Sequence, residues 1–246
     1  MAESDLTIKS YILWKFMPFS VVLIMLYIVR KRKKKVAAWM LSRLEGPMNR
    51  ATSKEKKDLF QDLNKLKRSS DRPITILEIG PGTGPNFSFY PKKLSVTCLD
   101  PNDEFNPYLL NKARREGIRI EAIVRGFAEK MTMFDSDSFD AVVSTFVLCS
   151  VRSQELAVKE IKRVLKNGGK FYFLEHISSE KKGFIYLMQR LLNPVCKVIL
   201  DGCQVIRDTP ALIQKAGFSN VNVRRFDGKR PFAFIHKPLC IGYATK

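Results

Sequence analysis

From about residue 73 to the C-terminus, short runs of β-branched and aromatic residues alternate with segments whose apolar positions recur every three or four residues. The runs read as strands and the segments as helices, and their alternation predicts an α/β domain built on a doubly wound parallel sheet. Ile74–Ile79, Ser95–Asp100, Ile118–Val124, Phe139–Cys149 and Lys170–Ile177 are the first five expected strands. Phe139–Cys149 is almost continuously apolar, as a strand covered on both faces must be. The intervening helix Gln154–Lys166 carries Val158, Ile161, Val164 and Leu165 on one side and stops at Asn167-Gly168-Gly169. Another opens at Thr209-Pro210 and stops at Gly217. Strands near Val221–Phe226 and Leu239–Ala244 complete seven. The last follows its neighbour too closely for a helical crossover, so antiparallel pairing is expected.

Two stretches break this rhythm. Residues 184–200, between the fifth and sixth strands, are too apolar for an ordinary surface helix, and Pro194 is expected to interrupt them. They are expected to line an apolar pocket, to rest on a membrane or to pack into the core. Residues 36–72 form an amphipathic linker, read as two helices broken at Gly46-Pro47. Leu59, Phe60, Leu63 and Leu66 make one apolar stripe among many lysines there, suited to docking on the sheet or lying against lipid.

Residues 1–35 have their own logic. Phe16–Val29 is 14 residues without a charge, and extension back to Tyr11 gives 19 with Lys15 included. As a helix the longer stretch reaches about 28 Å against a hydrocarbon core of about 30 Å. A tight single span and a one-leaflet anchor are both open, as is a buried N-terminal helix. Acidic Glu3 and Asp5 precede the run and six cations, Arg30–Lys35, follow it, the reverse of a cleaved signal peptide. That order keeps the rest of the chain on the cytosolic side. The formal net charge of +19 calls for an acidic partner, nucleic acid or anionic lipid. Cations clustered beside an apolar segment, rather than interleaved with stacking aromatics, favour membrane lipid, and no nucleic acid is expected.

The chemistry starts at residues 77–84, Leu-Glu-Ile-Gly-Pro-Gly-Thr-Gly. Gly80, Gly82 and Gly84 let the chain turn sharply with its amides exposed to a ligand. The spacing is G-x-G-x-G, and Glu78 stands two residues before the first glycine. A carboxylate there suits a cationic ligand better than a diphosphate. Asp100 ends the second strand, where a carboxylate can accept from both hydroxyls of a ribose or can cap the next helix. A polar loop, Gly126–Lys130, follows the third strand. The cysteines, at 98, 149, 196, 203 and 240, show no C-x-x-C spacing, and there are two histidines. Neither a disulfide framework nor a zinc site is supported, so no metal is expected.

The glycine turn resembles motif I of the class I S-adenosylmethionine-dependent methyltransferases, whose sheet has seven strands with an antiparallel last one. The phrases Phe87-Ser88-Phe89-Tyr90-Pro91, Val147-Leu148-Cys149-Ser150-Val151, Leu174-Glu175-His176, Asp201-Gly202-Cys203 and Ile241-Gly242-Tyr243-Ala244 are similar to a narrower group, the membrane-associated methyltransferase-like proteins that methylate alkyl thiols. Pro81 departs from that group, where Cys stands, and the basic run is heavier.

The resemblance implies S-adenosyl-L-methionine as cofactor, held by Glu78, Gly80, Gly82, Gly84 and Asp100, with Ala128 and Glu129 near the adenine. It implies a small lipophilic thiol as substrate, and a catalytic domain over 73–246 that faces the cytosol from the endoplasmic reticulum or lipid droplets. His176, Asp201 and Cys149 are its candidate catalytic residues, against the plainer roles of packed histidine, turn residue and small buried hydrophobe. A lipid, quinone or other small-molecule O-, N- or C-methyltransferase shares the same cofactor half. An inactive membrane adaptor is the non-enzymatic reading. The fourth strand is not followed by Asp/Asn-Pro-Pro-Tyr, which speaks against nucleobase or glutamine methylation.

Overall fold

The computed structural model describes residues 32, 34–66, 72–180, 183–229 and 234–246. The expected apolar anchor falls on residues 1–31, outside the described residues. Among the described residues no helix is long and apolar enough to cross a membrane.

Seven strands make one sheet: β1 Ile74–Ile79, β2 Leu94–Asp100, β3 Arg119–Arg125, β4 Phe139–Thr145, β5 Leu165–His176, β6 Asn220–Asp227 and β7 Pro238–Thr245. Their order is β3-β2-β1-β4-β5-β7-β6. The first five run parallel, and β7 pairs antiparallel with both β5 and β6, as the short connection requires. Alternate residues of each strand feed two cores. Leu77 and Ile79 face the helices α4 (Gln154–Val164) and α6 (Thr209–Lys215), which contribute Val158, Ile161 and Ile213. Ile74 and Ile76 face Leu59, Phe60 and Leu63 of helix α2 (Ser53–Gln61) and its 3-10 extension, with Leu109 and Ala113 of α3 (Asn106–Glu116). The apolar stripe of residues 59–66 therefore docks on the sheet.

Several boundaries differ from the sequence reading. Residues 34–51 form one helix, α1, that runs through Gly46-Pro47 and stops at Thr52, whose hydroxyl donates to the Met48 carbonyl at 3.0 Å and competes with the backbone ladder. β4 ends at Thr145 rather than Cys149, because Phe146 turns to φ +59° and the amides beyond it are claimed by a side chain described below. β5 begins at Leu165, so Asn167-Gly168-Gly169 lies inside an irregular strand start, not after a longer helix.

Helix α5 (Phe184–Ile199) continues through Pro194. Its attachment is polar: Gln189 Nε2 donates to the carbonyls of Ile177 (3.0 Å) and Ile235 (2.9 Å), and Asn193 Oδ1 accepts from the Val205 amide (3.1 Å). Those three ties offset the one backbone bond a proline forfeits. Phe184, Leu187, Leu191, Val195 and Val198 are left outward, each 51–72% exposed. The stripe is thus not core packing.

Candidate functional site

β1 delivers the chain into the glycine turn, where Gly80, Gly82 and Gly84 all hold positive φ (58°, 52° and 82°). A Cβ on Gly80 would come within 2.5 Å of Val147 Cγ2, so the turn presses directly on the loop after β4. Asp100 ends β2 beside it. Its Oδ2 accepts from the Gly82 amide at 3.2 Å and its Oδ1 from the Asn102 amide at 2.8 Å. The two features that the sequence separates by 20 residues are one structure. Burial pushes the Asp100 carboxyl up to about 6 against the pull of those two amides. Helix α1 closes over this corner: Asn102 Nδ2 donates to the Lys34 carbonyl (3.0 Å), and Lys34 Nζ donates to the Pro101 carbonyl (2.7 Å).

Glu78 points the other way, beneath the turn, and is fully buried. It accepts from Asn86 Nδ2 at 2.8 Å and from the Tyr90 hydroxyl at 2.7 Å. Burial raises its carboxyl to about 7, opposed by those bonds and by Lys56. Burial likewise lowers Lys56 to about 8, with Glu78 and Glu45 opposing. Asn86 Nδ2 also donates to Thr145 Oγ1 (3.0 Å), which spends both of its hydrogens. Asn86 Oδ1 is left as a buried acceptor with no hydrogen-bond partner among the described residues. Glu78 therefore serves the turn by aiming Asn86. The sequence reading missed Asn86, Tyr90 and Lys56; a lysine flanked by Lys54 and Lys57 looks like a solvated face.

In the loop after β3, the Gly126 amide donates to the Asp100 carbonyl at 3.2 Å, so this loop joins the same corner. Ala128 is buried in the core, and Glu129 accepts from the Arg152 amide at 2.6 Å, tying the loop to the start of α4.

A second cluster sits at the ends of β4 and β5. Cys149 Sγ and Cys203 Sγ each lie 3.8 Å from His176 Nδ1, and the sulfurs are 3.6 Å apart. All three residues are buried. The hydrogen bond shared with Cys149 draws the Cys203 thiol below its ordinary range, and the same bond, with burial, pushes Cys149 up. Linear spacing hides this trio, and the sequence reading singles out Cys203 only within the phrase Asp201-Gly202-Cys203.

The loop carrying Cys149 is held by its backbone. Glu175 Oε1 accepts from the amides of Val147 (3.1 Å) and Leu148 (3.0 Å) and from Ser144 Oγ (2.9 Å), and Oε2 accepts from the Cys149 amide (3.2 Å). Arg207 donates to the carbonyls of Leu148 and Val151, and the Gln204 amide to that of Cys149. Phe146, with φ +59°, packs its ring on His176 at 4.7 Å between centroids. A bulky residue in that region is strained, and such strain concentrates at functional sites. Asp201 is an exposed turn residue with φ +47° that leads into Gly202, where a Cβ would fall 2.8 Å from the Ser150 carbonyl oxygen. That close approach seats Cys203 against the Cys149 loop. Val147, against Gly80, stands two residues before Cys149, so the two clusters adjoin.

Comparison with known proteins agrees with this arrangement. A family described as "Methyltransferase domain" matches residues 77–173. Thiol S-methyltransferase TMT1A of Homo sapiens is 35% identical over 214 residues, 87% of each chain. Thiol S-methyltransferase TMT1B of Rattus norvegicus is 38% identical over 186 residues, 75% of this chain and 76% of that one. Among solved structures, a SAM-dependent methyltransferase from Methanosarcina mazei aligns with a TM-score of 0.57 at 21% identity, over 75% of this chain and 96% of that one.

Proposed function

The chain belongs to the thiol S-methyltransferase family of S-adenosylmethionine-dependent methyltransferases, and from that membership we propose that it methylates small lipophilic thiols drawn from a cytosol-facing membrane surface. The observation that carries the reading is the contact of Gly80 with Val147, two residues before Cys149. It sets a cofactor corner directly against a sulfur-rich corner.

The residues fit the cofactor. Asp100 offers carboxylate oxygens to ribose hydroxyls, the glycine turn brings bare backbone to the ligand, and Asn86 Oδ1 is a buried acceptor suited to an ammonium group. When bound, S-adenosylmethionine supplies a methyl group activated on a sulfonium. The chain's share is to bind, align and exclude water. A free thiol is only a few per cent ionised at neutral pH, so an environment that favours the thiolate adds rate. The cluster of Cys149, Cys203 and His176 stands where such an environment is needed.

Membrane supply, from the endoplasmic reticulum or lipid droplets, draws support from α5. Its exposed apolar stripe is accompanied by Arg190 and Lys197, which suits insertion among anionic headgroups.

Purified full-length protein, given labelled cofactor and a panel of alkyl thiols, phenols and amines, is expected to methylate the thiols. Transfer to oxygen or nitrogen acceptors alone would replace this reading with the O- or N-methyltransferase one. In the same assay with vesicles, replacing Leu187, Leu191 and Val195 with serine should raise KM for lipophilic thiols by at least about tenfold, since a factor of ten is about 1.4 kcal/mol and burying even one apolar side chain contributes roughly 1.5–3 kcal/mol. Cofactor affinity should not change.

Cofactor binding should also depend on pH with a definite sign. Asp100 has a raised pKa in the ligand-free protein, and binding selects its charged form, so lowering pH below that value costs a proton's removal. Cofactor affinity should weaken about fourfold between pH 7.5 and 5.5 from Asp100 alone, with proton release on binding. Calorimetry in buffers of different ionisation enthalpy reads both, and a flat profile would mean that Asp100 does not face the ligand.

A further inference from the structure

We propose that Cys149, Cys203 and His176 form a three-ligand site for a thiophilic divalent cation of the zinc class, with the fourth position taken by the sulfur of the substrate. The fourth-position assignment rests on the thiol-methylating reading; the three-ligand site does not.

The case is geometric. Zinc binds sulfur at about 2.3 Å and imidazole nitrogen at about 2.0–2.1 Å in a tetrahedron. The edges of that tetrahedron are then about 3.8 Å between sulfurs and about 3.6 Å between sulfur and nitrogen. The corresponding separations here are 3.6 Å for Cys149 to Cys203 and 3.8 Å for each sulfur to His176 Nδ1. The three ligand atoms already stand at about the separations such an ion sets, whereas a disulfide, with sulfurs about 2.05 Å apart, needs the two sulfurs to close by about 1.5 Å.

The scaffold around these atoms is that of a prepared site. Each ligand comes from a different segment: the loop after β4, the end of β5, and the turn after α5. Glu175 and Arg207 hold the first by its backbone, and Gly202 lets the third approach it closely. His236 stands edge-on to His176 with ring centroids 5.2 Å apart, and its buried Nε2 has no hydrogen-bond partner among the described residues. Orientation of ligands by neighbouring groups is the usual companion of metal binding. Two thiolates and an imidazole select zinc over the hard cations, and three protein ligands leave one coordination position open.

That position suits the chemistry of a thiol acceptor. As the substrate sulfur binds the ion, its S–H bond breaks and the proton leaves to water. The sulfur lone pair forms the new S–CH3 bond while the methyl–sulfonium bond breaks, its electron pair staying on the departing sulfur. A thiol and a sulfonium become two thioethers and a proton. Two thiolates and a neutral imidazole cancel the charge of the divalent ion, so the bound substrate thiolate keeps its negative charge and its nucleophilicity.

Elemental analysis of the purified full-length protein tests the site. About one zinc per chain is expected, falling below about a tenth in Cys149→Ser and Cys203→Ser and kept in Cys98→Ala. Labelled S-adenosylmethionine should bind the serine variants within twofold of the parent, which shows that they are folded. With cobalt(II) in place of zinc, sulfur-to-metal charge-transfer absorption should appear, and its visible bands should shift when an alkyl thiol is added. Zinc below about a tenth per chain in the purified parent protein would overturn the three-ligand site, and a chelator-treated, metal-free protein that still turns over thiols at the full rate would overturn the fourth-position assignment. Peptide mapping of active protein that finds Cys149 joined to Cys203 would overturn it too. Stoichiometric zinc in a protein that binds cofactor yet methylates no thiol would overturn the acceptor and the fourth-position assignment, leaving the three-ligand site.

Discussion

Asp100→Ala is expected to raise the Kd for S-adenosylmethionine by at least about a hundredfold and to remove methyl transfer with it. A carboxylate that accepts from two ribose hydroxyls contributes roughly 1.5–3 kcal/mol per bond, and about 3 kcal/mol in total is already a factor of about a hundred. A second loss adds to this. Asp100 holds the amides of Gly82 and Asn102, so its removal frees the glycine turn that approaches the ligand. Asp100→Asn separates the two effects, because it keeps one accepting oxygen and turns an NH2 group toward a backbone N–H. It should lose about tenfold while the fold, followed by thermal melting, is unchanged. Calorimetric Kd values equal to the parent's in both variants would remove Asp100 from the cofactor site.

The second large effect is at Glu175, whose bonds go to the end of β4 and the loop after it rather than to the glycine turn. Its two oxygens accept from three consecutive backbone amides, residues 147–149, and from Ser144. Burial raises this carboxyl to about 7, with the same four donors opposing. Truncation to alanine strands four buried donors at roughly 1–3 kcal/mol each, a sum comparable with the whole stability of a domain. Glu175→Ala is expected to be insoluble. Glu175→Gln keeps one accepting oxygen and sets an NH2 against the Cys149 amide, at a cost of about 2–3 kcal/mol. The expected result is a folded protein whose Tm falls by about 5–10 °C. Its kcat should drop by about a hundredfold, while S-adenosylmethionine affinity stays within twofold. Unaltered kcat would show that the Cys149 loop does not position anything the reaction needs.

The fold was legible because each of its determinants is local. Strand runs such as Ile74–Ile79, the stop at Gly217 and the short link before β7 are patterns within a window of a dozen residues. The glycine turn and Asp100 were legible for the same reason, each marking the end of a strand. What escaped was created by tertiary contact. Cys149, His176 and Cys203 are spaced 27 residues apart, so no ligand motif exists along the chain, and the expectation of no metal rested on that missing motif. Lys56 and Asn86 acquire their meaning from Glu78 beneath them. Gly46-Pro47 and Pro194 were expected to break helices, and both helices continue through them, α5 held by the side-chain ties of Gln189 and Asn193 that no local window shows.

The loop after β4 is gripped through peptide groups, by Glu175 on its amides and by Arg207 and Gln204 on its carbonyls. Peptide groups are the same whatever side chains they carry. The path of the loop is therefore held by three residues outside it, and the half-buried side chain at position 150 is released from holding it, while Leu148 stays in the core and Val147 against the glycine turn. Change at position 150 can reshape the wall presented to an acceptor while the Cys149 sulfur stays where it is. Acceptor scope and sulfur placement are, in this fold, separately inheritable traits.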